Sequence, residues 1–241
     1  MTRRFQGRTV VVTGASRGIG RAIASAFRED GARVIGTRTG PSTAKDEGIC
    51  DAWIVADFSD ISQIERCAAT VAEAAPDVLV NNAGINKNLP FTEIDPALFL
   101  RIQQVNVFAP FRFCQAVLPP MVERKWGRIV NVSSIFGKIS KANRASYSAS
   151  KFALDGLTTA LAAEHATSGV LANCVAPGFI DTELTERMLG AAGIAQVVAG
   201  VPAGRLGRAE EIARLVLWLS SEENTFVSGQ IIAIDGGFTR V

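Results

Sequence analysis

Arg8-Thr-Val-Val-Val-Thr-Gly-Ala-Ser-Arg-Gly-Ile-Gly20 is the stretch that decides the fold of this 241-residue chain. Thr9–Val12 is a short β-branched run, the composition of a buried strand. It passes straight into Thr13-Gly14-Ala15-Ser16-Arg17-Gly18-Ile19-Gly20. Apolar residues then recur at helical spacing (Ile19, Ala22, Ile23, Ala26, Phe27) and stop at Gly31. Glycines between a strand and a helix have a definite chemical use. Gly14 takes the tight turn, Gly18 lets a pyrophosphate approach the backbone, and Gly20 allows helix and strand to pack closely. The helix N-terminus offers free N–H groups and partial positive charge to the phosphates. Glycines placed anywhere else would mean little; at this junction they predict a nucleotide site.

Outward from that junction, strand and helix signals alternate. Strands are predicted at Arg33–Thr37, Trp53–Ala56, Asp77–Asn81, Gly127–Ser133, Val170–Ala176 and Gln230–Ile234. Helices are predicted at Ile61–Ala75, Pro96–Val122, Ser146–Thr167 and Glu210–Ser220, with an irregular region before the last of these. Apolar strands separated by helices imply a parallel sheet with right-handed crossovers. The expected fold is a single-domain, doubly wound α/β sheet of Rossmann type spanning residues 1–241. It has about seven strands, helices on both faces, and ligands beyond the carboxyl ends of the strands. Thr37–Asp51, short and rich in Gly, Pro and Ser, is predicted to lack a full helix.

Composition narrows the function. Hydrophobic residues make up 48% and charged residues 20%, enough for a large core. Lys+Arg 25 against Asp+Glu 23 gives a net charge of +2, which argues against nucleic acid or an anionic membrane as partner. No apolar run approaches the ~20 residues of a membrane span. The basic start is followed by too short an apolar stretch for a signal peptide, so a cytoplasmic protein is expected. Cys50, Cys67, Cys114 and Cys174 are scattered without metal or redox spacing and read as small buried hydrophobes. With His165 as the one histidine, no metal site is predicted. His165 falls late on its helix, far from the strand ends, and is not a catalytic candidate.

The chain has a single tyrosine. In Tyr147-Ser-Ala-Ser-Lys151 it stands one helical turn before a lysine, on the same face. A cation so placed stabilises phenolate and lets the phenol work as a proton donor.

Taken together, Gly14-(three residues)-Gly18-Ile19-Gly20, Asn81-Asn82-Ala83-Gly84, Ser134, Tyr147-(three residues)-Lys151, Pro177-Gly178 and Asp235-Gly236-Gly237 resemble the short-chain dehydrogenase/reductases. The match covers essentially the whole chain. Within that family, GASRGIGRAIA, VIGT, PGFI and VPAGRLG are most similar to the β-ketoacyl-acyl-carrier-protein reductases. The resemblance implies an oxidoreductase that reduces a carbonyl to an alcohol, with a 3-oxoacyl thioester or similar keto substrate. An alcohol or sugar dehydrogenase working in the oxidative direction stays open, as does a non-catalytic nucleotide-binding scaffold. Epimerases that share the Tyr–Lys chemistry normally carry a further substrate domain that this length does not accommodate.

The resemblance also assigns roles. Tyr147 donates the proton to the substrate oxygen, and Lys151 holds the nicotinamide ribose and keeps the phenol acidic. Ser134 hydrogen-bonds the carbonyl oxygen, with Ser133 as the alternative. Asn106 completes the set through a main-chain carbonyl that holds a water. Pro110 has no N–H to offer that carbonyl in a regular helix, which would leave it free.

For the nucleotide, Gly14, Ser16, Arg17, Gly18, Ile19 and Gly20 form the phosphate loop. The second strand ends in Thr37-Arg38 with no carboxylate to bind a ribose diol, while Arg17 and Arg38 can both reach a 2′-phosphate. NADP(H) is therefore expected over NAD(H). Asp57 is assigned to the adenine amino group with Phe58 beside it, and Asn82, Ala83 and Gly84 lie along the adenosine ribose. Pro177, Gly178, Ile180 and Thr182 flank the nicotinamide.

A glycine-bearing lid is expected at 183–204. Ile135, Phe136, Asn86, Asn143, Phe179, Leu184 and Met188 are candidate pocket residues. Lys87, Lys138, Lys141 and Arg144 are either cations at the mouth, favouring an anionic or phosphopantetheine-bearing substrate, or solvated surface charges. At positions where carrier-protein reductases place docking cations, Lys125 fits and Ser168 departs. Small residues at Ala149, Ala153, Gly156, Ala160 and Ala163 suit close helix packing against the helix bearing Phe108, Phe111 and Phe113, and a homotetramer is expected.

Overall fold

The computed structural model describes residues 3–41 and 46–240. Seven strands form one parallel sheet: β1 (Thr9–Val12), β2 (Arg33–Arg38), β3 (Ala52–Val55), β4 (Val78–Asn81), β5 (Gly127–Val132), β6 (Val170–Pro177) and β7 (Ile231–Ile234). Their order is β3-β2-β1-β4-β5-β6-β7, so the winding reverses between β1 and β4, where open α/β sheets place their ligands. Val10 pairs in register with Val34 on one side and Val78 on the other.

Alternation along the strands divides the core. Val10 and Val12, Val78 and Val80, and Val130 and Val132 point to one face, beneath α1 (Gly18–Glu29) and α7 (Ala209–Ser220). Val11, Leu79 and Ile129 point to the other, packed by α2 (Ile61–Glu73) and α4 (Ala109–Glu123), with Ala162 of α5 (Ala145–His165). Helices thus cover both faces, as the apolar strands require. Each of these nine buried strand residues stabilises the fold by about 1.5–3 kcal/mol, before the entropy of ordering is set against it.

Two expectations are corrected. The helix predicted from Pro96 to Val122 is interrupted: α3 (Pro96–Gln103) gives way to a π-turn at Gln104–Phe108 before α4 begins. In that turn the Ala109 N–H reaches back five residues to the Gln104 carbonyl. The irregularity forced by Pro110 is therefore an inserted residue, not only a missing hydrogen bond. The region before the last helix is itself helical, α6 (Glu183–Ala199). Thr182 caps it and Glu183 and Glu186 suit its first turn, and it is broken only at Gly190, where φ is 60°. Between β2 and β3 the described residues contain no helix longer than a turn, and the rest of that segment lies outside them.

Candidate active site

The glycine loop is held by side chains from three strands. Thr13 Oγ1 accepts from the Asn82 and Ala83 N–H groups at 2.9 and 3.0 Å, tying β1 to the end of β4. Thr37 Oγ1 accepts from the Gly14 N–H at 3.0 Å, and the Thr37 carbonyl accepts from Ala15 N–H at 3.0 Å. Asn82 Nδ2 donates to the Thr13 and Gly14 carbonyls. The fit leaves no spare room: a Cβ at Gly20 would run into Asn82 Nδ2 and the Gly14 carbonyl. Gly14, at φ 65°, needs the left-handed conformation that glycine adopts freely. No side chain caps the N-terminus of α1, so its first N–H groups face outward for an anion. Ser16 is half-buried in the turn and Ile19 packs on the core.

The two arginines expected near a 2′-phosphate differ. Arg17 is exposed and forms no ion pair among the described residues. Arg38 is already engaged: its guanidinium pairs with Asp46, Nε donates to the Gly40 carbonyl at 2.6 Å, and the group lies 5.4 Å from the Trp53 ring. The side chains of this pair are 10% and 5% exposed. The expectation that Arg38 is an open phosphate reader is thus corrected, because an internal carboxylate occupies it. Asp57 is exposed, and Oδ1 accepts from the Ser59 N–H and hydroxyl. Phe58, expected beside the base, is instead in the core with its ring 5.0 Å from that of Phe113.

At the other half of the sheet, β5 ends in Ser133-Ser134. Ser134 Oγ accepts from the Phe136 N–H at 3.2 Å and caps a short turn at Ile135–Gly137. The Phe136 ring meets Tyr147 edge-on at 6.5 Å. Tyr147 and Lys151 lie in the first two turns of α5, with Lys151 Nζ 5.6 Å from the tyrosine ring and donating to the Val132 carbonyl at 2.9 Å. Lys151 is buried, and this bond holds its ammonium against the strand end. Asn106, buried in the π-turn, brackets the residue after Gly84: Oδ1 accepts from Ile85 N–H and Nδ2 donates to the Ile85 carbonyl, both at 2.9 Å. Nδ2 also donates to Ser150 Oγ, which donates to the Tyr147 carbonyl. At Gly84 a Cβ would lie 3.3 Å from Asn106 Oδ1 and 3.8 Å from Lys151 Nζ. Asn106, Ser134, Tyr147 and Lys151 are brought to one end of the sheet.

Beyond β6, the Gly178 N–H donates to the Ile234 carbonyl at 3.0 Å. Ile180 is buried, and Thr182 approaches Gly18, its methyl 3.7 Å from where a Cβ would stand there. Phe179 joins Phe136 and Phe238 in an aromatic wall, at 6.3 and 5.2 Å.

Among the other pocket candidates, Ile135 is 1% exposed and belongs to the core. Asn86 and Met188 are half-buried, Asn143 is exposed, and the Leu184 side chain lies outside the described residues. The four suggested mouth cations separate. Lys138 Nζ is held by the Ile231 carbonyl and Lys87 is exposed. Lys141 stands 5.9 Å from the Phe179 ring, and Arg144 is buried against Phe136 at 4.9 Å. Lys125 and Ser168 lie just before β5 and β6, at the end of the sheet opposite the Tyr147 site.

One buried acid was missed. Asp155, one turn beyond Lys151, is 6% exposed with no hydrogen-bond partner for either carboxylate oxygen, and Ser133 Oγ beside it is likewise unpartnered. Burial raises its carboxyl above the ordinary range, opposed by the neighbouring Ser133, Cys174, Lys151 and Lys138. Gly137 makes the room, since a Cβ there would strike Asp155 Oδ2. The only local signal was the spacing of four from Lys151. Burial pushes the Cys50, Cys67 and Cys114 thiols up to about 12 and raises Cys174 as well, so none is a ready nucleophile. His165 is half-buried at the far end of α5. Among the described residues no cluster of His, Cys, Asp and Glu could hold a metal, and no helix is long and apolar enough to cross a membrane.

A model of the enoyl-(acyl carrier protein) reductase family matches residues 14–239. The chain belongs to the short-chain dehydrogenase/reductase family. It is 39% identical to a 3-oxoacyl-[acyl-carrier-protein] reductase of Salmonella typhimurium over 98% of this chain and 99% of that one. An acetoacetyl-CoA reductase of Shinella zoogloeoides is 36% identical over 95% and 98%. A crystal structure of a putative NAD(P)-dependent gluconate 5-dehydrogenase from Beutenbergia cavernae, with bound NADP, superposes with a TM-score of 0.93 at 34% identity, covering all of both chains. This short-chain dehydrogenase/reductase thus keeps the fold of its relatives along its whole length.

Proposed function

We propose that the protein is an NADPH-dependent oxidoreductase reducing a carbonyl, in a 3-oxoacyl thioester or similar keto compound, to the alcohol. The observation that carries this reading is the site around α5: the one phenol of the chain stands beside a buried ammonium, with Phe136, tied to Ser134, edge-on to it. The cradle fits a dinucleotide, since the packed glycines, the uncapped start of α1 and the unpaired Arg17 together present N–H groups and a cation to phosphates. Gly14, Ser16, Gly18, Ile19, Gly20, Thr37, Asn82, Ala83, Gly84, Asp57, Pro177, Gly178, Ile180 and Thr182 would hold it. NADPH bound there supplies the hydride.

The chain's own residues do the rest. Ser134 Oγ orients the carbonyl oxygen. Tyr147 gives its phenolic proton to that oxygen as negative charge develops on it, so that O–H of the alcohol forms as the phenol O–H breaks. Lys151, fixed by the Val132 carbonyl, stabilises the phenolate left behind. Asn106 keeps the Ile85 loop and the Ser150 hydroxyl in place beside them. Phe136 and Phe179 wall the site, and α6, hinged at Gly190, acts as its lid within one catalytic domain.

Screening NADPH oxidation against acetoacetyl thioesters, quinones, keto-sugars and cyclic ketones tests the proposal. Turnover is expected with an acetoacetyl thioester, and silence across the set would overturn it. The likeness to a gluconate 5-dehydrogenase supports a second reading, oxidation of a sugar acid, which predicts NADP reduction by gluconate outpacing the reverse reaction.

We also propose a homotetramer. Ala149, Ala153, Gly156, Ala160 and Ala163 are all exposed, as are Phe152 and Leu157 on the same helix and Phe111 on α4. Phe113 is in the core and does not join that face. A stable monomer by light scattering at micromolar concentration would refute this.

A further inference from the structure

Arg144 is a nearly buried cation at this site that, among the described residues, has neither a carboxylate nor a carbonyl to hold it. It precedes Tyr147 by three residues, at the start of α5, and is 7% exposed. Its guanidinium makes no hydrogen bond or ion pair among the described residues. It lies against the Phe136 ring, at 4.9 Å, and the same ring meets Tyr147 edge-on. Burial pulls its pKa below the usual arginine range, and the Tyr147 phenol opposes that pull. Arg128, by contrast, donates to three carbonyls from its two terminal nitrogens, with Nε left unpartnered, and Arg38 pairs with Asp46. The Arg144 nitrogens still reach solvent, so a cation that burial disfavours and no side chain pairs stands open to an anionic ligand.

We propose that Arg144 selects a keto substrate that carries a carboxylate. Contact with an aromatic ring uses the face of a guanidinium, and the five N–H donors lie in its plane, free for the two oxygens of a carboxylate. The surroundings suit an anion. Lys141 stands at the neighbouring ring of the same wall, 5.9 Å from Phe179. Asp235, just past β7, accepts from the Gly237 and Thr239 N–H groups and the Thr239 hydroxyl, and forms no ion pair with Arg144. A carboxylate bound here meets the guanidinium beside an aromatic wall, where a charge-assisted hydrogen bond is strong.

The inference rests on the proposed carbonyl reduction and is tested with one ketone in two charge states. NADPH oxidation is measured with acetoacetate and with its methyl ester, on the wild type, Arg144→Met and Arg144→Lys. The wild type is expected to show the higher kcat/KM for acetoacetate. In Arg144→Met the ratio of acetoacetate to ester should fall about 10- to 150-fold, the loss of one charged hydrogen bond, with Arg144→Lys in between. A wild-type preference for the ester overturns the idea without any variant, as does an Arg144→Met protein that binds NADPH and keeps the wild-type ratio. If neither ketone is reduced, the thioester screen decides the proposed function and calorimetry decides the inference separately. Equal binding of 3-hydroxybutyrate and its methyl ester to the wild type would overturn it.

Discussion

The two halves of the site are built from opposite materials. Around Gly14–Gly20 the working groups are main-chain N–H bonds, and the sequence contributes chiefly by leaving side chains out. Around Tyr147 the working groups are side chains, each held by a bond to a strand end or a neighbouring helix. The first half should therefore suffer from added atoms, the second from removed ones.

The sharpest break is the smallest truncation. Tyr147→Phe removes one oxygen and should lower kcat by about 10²–10⁴-fold while NADPH binding, followed by titration, survives. Near-normal turnover would mean that the phenol is not the proton donor. Arg17 is the exception in the backbone half, a side chain asked to recognise charge. Arg17→Ala should weaken NADPH about 10- to 150-fold and NADH much less. Arg38→Ala should discriminate less between the two nucleotides, because Asp46 already holds its guanidinium. Equal effects of the two variants in calorimetry would erase that distinction.

An added carbon tests the other half. Gly20→Ala places a methyl against Asn82 and the Gly14 carbonyl and should cost about 1–3 kcal/mol, read as a fall of several degrees in Tm. An unchanged melt would show that the loop yields.

The smallest effect should run the opposite way. Burial raises the Asp155 carboxyl in the folded state, so its full stability is present in acid and is lost as pH rises from the ordinary carboxylate range through the raised value. Asp155→Asn should thus melt slightly higher than wild type at neutral pH, with the gain vanishing in acid. A lower melting temperature at neutral pH would mean that the ionised carboxylate has a stabilising partner.

What could be read in advance follows from how far a signal travels along the chain. The glycine loop and the Tyr147–Lys151 spacing are local patterns, and the apolar strands announce themselves by composition. Seven strands in a reversing order followed from that alternation. Arg38 could not be read correctly, because its partner Asp46 arrives from a Gly- and Pro-rich connection with no periodicity. Asp155 looked like one more helix residue until Ser133, Gly137 and Cys174 closed over it from other segments. For α6, glycines suggested irregularity, yet the break is confined to Gly190.

The π-turn at Gln104–Phe108 makes chain length itself a functional variable. One residue advances an α-helix by about 100°, so an inserted residue shifts the phase of everything beyond it. Asn106 meets both Ile85 and Ser150 only in that shifted phase. Deleting a single residue from the turn would leave the apolar composition almost untouched and even regularise the helix. It would also swing the amide out of reach, detaching the strand-end loop from the helix that carries the tyrosine.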